Sequence, residues 1–172
     1  LIKDIIGNKQ VVATAMRKEI ERVELAIQEA LSGKIVSIIS SGDPGVYGMA
    51  GLVLEVVSKE NIDLPIEIIS GIPAANAAAA VLGAPLMHDY AVISLSDLLT
   101  PWETIERRVK CAAEADFVIV LYNPKSSQRD WQIEKTAHIV LQHKSPSTPV
   151  GIVKDASRED ESVIITTLDK MT

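Results

Sequence analysis

Apolar positions along the chain follow two alternating patterns. From Arg17 to Leu31 they recur at three- and four-residue steps, at Ile20, Val23, Ile27, Ala30 and Leu31, and Gly33 follows as a left-handed stop. This predicts an amphipathic helix. Ile35-Val36-Ser37-Ile38-Ile39 is short and β-branched instead, the mark of a buried strand. A glycine-bearing loop follows over 40–48, then a helix from Met49 to Lys59 and a second strand-like run at Pro65-Ile66-Glu67-Ile68-Ile69. A short loop over 70–73 leads into an alanine-rich helix from Ala74 to Leu82. Strand, glycine loop and helix thus occur twice in succession.

Beyond Gly83-Ala84-Pro85, strands are expected at 91–95 and 117–122, alternating with helices over 102–115 and 130–142. The runs 149–153 and 162–167, separated by a turn containing Arg158-Glu159-Asp160-Glu161, read as a closing antiparallel hairpin. Alternation of this kind predicts α/β architecture with mostly parallel pairing. We expect two small α/β domains, 1–87 and 88–172, with a ligand cleft between them, the stretch from Pro85 to Tyr90 being the boundary.

Composition narrows the function. In 172 residues, 47% are hydrophobic and the formal net charge is −6, so a core is available without staples. No apolar run approaches the ~20 residues that cross a bilayer, and no block of basic residues offers a phosphate-tracking stripe. Membrane and nucleic acid are therefore not expected as partners. The single Cys cannot form an internal disulfide and fits the cytoplasm. It is Cys111, expected as a buried thiol within a helix rather than a nucleophile. No phosphate loop or dinucleotide fingerprint is present. His138 and His143 project about 140° apart on a helix, which gives no metal-ligand spacing, and no metal is expected.

In open α/β sheets, ligands lie beyond the carboxyl ends of the strands. Four loops there are candidates. Ser41 to Gly48 carries three glycines that let a ligand approach the backbone, with the Asp43 carboxylate beside them. Gly71-Ile72-Pro73-Ala74-Ala75 puts small residues at a helix start. Asn123-Pro124-Lys125-Ser126-Ser127 and Lys154-Asp155-Ala156-Ser157-Arg158 each place polar groups after an apolar strand. Singly, each is also compatible with an ordinary turn.

The segments Ser40-Ser41-Gly42-Asp43-Pro44-Gly45-Val46-Tyr47-Gly48-Met49-Ala50 and Ile69-Ser70-Gly71-Ile72-Pro73-Ala74-Ala75-Asn76 resemble the tetrapyrrole methylases. Ser94-Leu95-Ser96-Asp97-Leu98-Leu99-Thr100-Pro101-Trp102 and Tyr122-Asn123-Pro124 are similar to the branch that methylates precorrin-3B, or its cobalt form, at C17 with ring contraction in cobalamin biosynthesis. The resemblance implies a homodimeric enzyme of two α/β domains that uses S-adenosyl-L-methionine (SAM) as methyl donor on a tetrapyrrole. By motif, it implies SAM contacts at Gly42, Asp43, Val46, Pro73, Ala74, Asn123 and Ala156. It puts the tetrapyrrole near Ser94, Ser96, Lys125 and Arg129, and makes Asp97 and Tyr122 the candidates for proton transfer. Another corrin-ring methylase of the same superfamily, or a chain that folds and dimerises without holding SAM, are the alternatives. The family normally opens with a strand and a Gly-x-Gly-Pro-Gly loop, which do not precede Leu1, and its usual last strand after Thr167 is cut short. A truncated chain is expected on both counts.

Overall fold

The computed structural model describes residues 4–14, 18–126 and 130–172. They form two compact units, 1–73 and 74–172.

The first unit is built on α1 (Glu19–Leu31) and α2 (Ala50–Lys59), packed against each other. Helix α1 has no side-chain cap at its start, but Glu19 and Glu21 set negative charge against the positive end of the helix dipole. Its inward stripe is narrower than the sequence period suggests. Val23 and Ile27 are buried, whereas Ile20 and Leu31 are exposed. Gly33 ends the helix at φ +88°, its N–H donating to the Ala30 carbonyl at 2.9 Å, a conformation that costs glycine little.

The runs 35–39 and 65–69 depart from expectation. Both read as strands in the sequence, 35–39 as a buried one, yet neither carries regular secondary structure or joins a sheet. Ile35 is fully exposed and Ile69 is 75% exposed. A β-branched run supplies strand propensity only, and the stability of a strand comes from a neighbouring backbone that completes its ladder. Instead of pairing, residues from both runs line a common groove of about 840 Å³ whose floor includes Ile27, Ala30, Val53 and Val57 of the two helices.

The second unit opens with α3 (Ala74–Val81), which buries Ala75 and Ala79, one helical turn apart. A turn-rich connection over 82–89, where the sequence places the domain boundary, lies inside this unit. Strand β1 (Tyr90–Ser94) pairs in parallel with β2 (Val118–Tyr122), from Tyr90 opposite Val118 to Ser94 opposite Tyr122. The crossover is α4 (Trp102–Glu114), whose Ile105, Val109, Ala112 and Ala113 face inward at i, i+4, i+7 and i+8. With Ile93, Leu95, Ile133, Val140 and Leu168 they make the core. Cys111 lies on the outer face of α4 and is exposed, which corrects the expectation of a buried thiol: the helical turn sets it on the side away from Ile105, Val109, Ala112 and Ala113.

Helix α5 (Trp131–Leu141) packs on α4, and Trp102 meets Trp131 edge-on, ring centroids 4.8 Å apart. Strands β3 (Pro149–Lys154) and β4 (Ser162–Thr167) form the expected antiparallel hairpin, with Pro149 opposite Thr167. Its turn uses left-handed Asp155 and Ser157. Among the described residues the architecture is α/β, as the alternation of elements predicts.

Two outcomes follow from this packing. Leu95 has no exposed surface, so Leu95→Ala is expected to cost about 2–5 kcal/mol, read as a lower urea midpoint. Amide hydrogen exchange is expected to be faster across 35–39 and 65–69 than across β2, because ladder hydrogen bonds protect only the latter.

Candidate functional site

The loop after residue 39 is shaped by one carboxylate. In Gly42-Asp43-Pro44-Gly45, Asp43 Oδ1 accepts the Gly45 N–H at 2.8 Å, an Asx turn. Pro44 has no N–H to compete and its ring presets the turn. Asp43 Oδ2 accepts the Gly71 N–H at 2.9 Å, from the loop that follows residue 69. These two bonds, Gly71 foremost, hold the Asp43 carboxyl below its ordinary pKa, because each favours the ionised form.

The two loops touch through backbone. A Cβ on Gly71 would lie 2.4 Å from the Gly42 carbonyl oxygen, and one on Gly48 would lie 2.5 Å from that of Pro44. Neither position admits another residue without movement. Gly42 at φ +79° and Tyr47 at φ +51° complete the sharp course of the first loop. Val46, Tyr47 and Ile72 stand exposed around it, offering apolar surface beside backbone polar groups.

In the second unit the candidate residues collect where β1 and β2 end. Ser94 Oγ accepts the Asn123 Nδ2–H at 3.0 Å and the Ser96 N–H at 3.2 Å. That pairing turns the Asn123 amide group so that its Nδ2 faces Ser94. Asn123 itself is left-handed at φ +52°, a conformation asparagine tolerates better than most residues. The Leu95 N–H reaches the Tyr122 carbonyl at 2.9 Å and extends the ladder to this edge. The Tyr122 hydroxyl accepts the Ala75 N–H at 2.9 Å, at the open end of α3.

Asp97 is half-buried and Oδ2 accepts a hydrogen bond from Gln132 Nε2 at 3.1 Å. Gln132 is the residue that sequence reading missed. It is 1% exposed, and its Oε1 has no partner among the described residues. The available signal was a glutamine on the inward stripe of α5, in line with Thr136 and Val140 at i+4 and i+8.

Tertiary structure therefore joins Gly42 and Asp43 to the Gly71 loop that leads to Pro73. It also joins Ser94, Ser96 and Asn123 into one cluster, with Tyr122 beside them and bonded next to Ala74. Lys125 is exposed just past β2, and Ala156 sits half-buried in the turn after β3, on the other sheet. Arg129 lies outside the described residues. Among the described residues no group of three or more His, Cys, Asp or Glu is placed to hold a metal ion. What these loops offer is close backbone approach, neutral hydrogen-bonding groups and apolar surface. That suits holding and aligning a ligand better than polarising one.

Residues 2–172 match the family of tetrapyrrole (corrin/porphyrin) methylases. A probable cobalt-factor III C(17)-methyltransferase of Salmonella typhimurium is 53% identical over 99% of this chain and 71% of its own length. The cobalt-factor III methyltransferase of Priestia megaterium is 50% identical over 99% of this chain, which spans only 32% of that protein. Among solved structures, the methyltransferase CobJ superimposes with a TM-score of 0.87 at 35% identity, over 92% of this chain and 67% of that one.

Tyr122→Phe removes the acceptor for the Ala75 N–H. It is expected to lower stability by about 0.5–1.5 kcal/mol, measured by urea unfolding.

Proposed function

The chain belongs to the tetrapyrrole methylases, and on that premise we propose that it transfers a methyl group from SAM to C17 of a corrin precursor, cobalt-precorrin-3B or precorrin-3B, with ring contraction, in cobalamin biosynthesis. The observation that carries this reading is the 53% identity, across 99% of the chain, to a probable cobalt-factor III C(17)-methyltransferase. Two domains meeting near Met87, a cleft between them, a homodimer and a cytoplasmic location belong to the same proposal.

The loops fit such a cosubstrate. Gly48 and Gly71 let the backbone of the loops pack closer than a Cβ would allow, and Val46 and Ile72 offer apolar surface to a flat ring. SAM supplies a methyl group already activated on a sulfonium, so no strong base is required for the transfer itself. Gly42, Asp43, Val46, Pro73, Ala74, Asn123 and Ala156 bind it. Ser94, Ser96, Lys125 and Arg129 hold the substrate, the two cations meeting its carboxylate side chains with charge-assisted hydrogen bonds. Holding donor and acceptor carbon in line contributes about 7–11 kcal/mol to such a reaction. Ring contraction moves protons as well. Asp97, steadied by Gln132, and Tyr122, whose hydroxyl oxygen accepts the Ala75 N–H, are the proposed donors and acceptors.

The test is incubation of the protein with SAM and each form of the substrate. The expected product carries one added methyl, at C17 by NMR. A methyl at another ring carbon, or none, overturns the assignment. Lys125→Ala is expected to raise KM for the tetrapyrrole about tenfold while leaving KM for SAM unchanged, by steady-state kinetics.

A further inference from the structure

Asp43 is the one charged group in the two glycine loops, and its carboxylate is already engaged. One oxygen closes the local Asx turn onto Gly45 at 2.8 Å. The other reaches across 28 positions of sequence to the Gly71 N–H at 2.9 Å. The bond occurs where the loops are as close as backbones can pack, since only a hydrogen side chain at position 71 clears the Gly42 carbonyl. A neutral side chain could not replace both interactions. An asparagine would set its own N–H₂ against one of the two amide donors, whereas an ionised carboxylate accepts on both sides.

From this geometry we infer that Asp43 is a positioning residue, a staple that sets the spacing between the loop carrying Gly42 and Val46 and the loop carrying Pro73. It acts through the Gly45 and Gly71 amides and not through contact with the methyl donor alone. The staple also explains the pairing of Gly-Asp-Pro-Gly with Ser-Gly-Ile-Pro. The first motif aims the carboxylate, and the second presents an N–H at a site where no Cβ intrudes. The inference deepens the proposed function, because loop spacing matters only if both loops grip one ligand.

The staple is tested without any ligand. In ¹⁵N-resolved NMR of the protein, the Gly45 and Gly71 amide protons are expected to titrate together with Asp43. Their shared midpoint should fall below the ordinary value of about 3.9. Both bonds favour the ionised form, so the link is complete at neutral pH and lost as pH falls through that midpoint. Asp43→Asn should abolish both titrations. Titration of Gly45 alone would mean a local turn only and would overturn the staple.

Its consequence is tested by calorimetric titration of S-adenosylhomocysteine. Asp43→Asn and Gly71→Ala should each weaken binding about tenfold, and the double variant should lose little more than either single one, because both break the same link. Losses that multiply would show that Asp43 acts by independent ligand contact and would overturn the inference. Should Gly71→Ala not fold, the amide titrations of the unsubstituted protein and of Asp43→Asn carry the test. No binding by the unsubstituted protein, alongside linked amide titrations, would refute the proposed function and leave the staple standing.

Discussion

A strand persists only where a second backbone completes its hydrogen bonds, and that constraint divides this molecule. In the second unit β1 and β2 satisfy each other from Tyr90 to Ser94. Everything that follows is referred to that ladder. It gives α4 a surface on which to bury Ile105 and Val109, and it ends with Ser94 and Tyr122 side by side. Asn123 and the start of α3 then fall within hydrogen-bonding distance of those two side chains. In the first unit the runs 35–39 and 65–69 have the same composition without the ladder, and their isoleucines face solvent and a groove.

The loops beyond those runs are nevertheless well defined. Their order comes from a different source, a carboxylate accepting two amides and a glycine contact that excludes Cβ. Charge-assisted bonds of this kind are short and directional. A net charge of −6 is spread over the chain, but the acidic group of the glycine loops, Asp43, is committed to backbone amides. A ligand approaching these loops therefore meets oriented dipoles and apolar side chains more than free charge.

Much of this was legible in the chain itself. Spacing of apolar residues located α1, α4 and α5 to within a few residues, and short β-branched runs bounded by polar turns located β1, β2 and the closing hairpin. The glycine loops announced themselves by residue type, since Gly-Asp-Pro-Gly has few other uses than a tight turn. Periodicity failed at 35–39 and 65–69 because propensity reports what a residue prefers and not whether a partner is present. The expectation for Cys111 failed for another reason: free cysteines are usually buried, but one step along α4 turns the side chain by about 100° and separates buried Ala112 from an exposed thiol.

Sequence alone thus determined the helices, the α/β class, the identity of the loops and, through their motifs, the family. These depend on local periodicity and on residue types that few other structures demand. Only tertiary structure decided which carboxylate meets which amide, that Ser94 orients Asn123, that the Tyr122 hydroxyl serves the first turn of α3, and that Gln132 stands behind Asp97. Each of these joins residues far apart in sequence across a few ångströms. Their partners are chosen by how strands register and helices pack, and no local pattern encodes that choice.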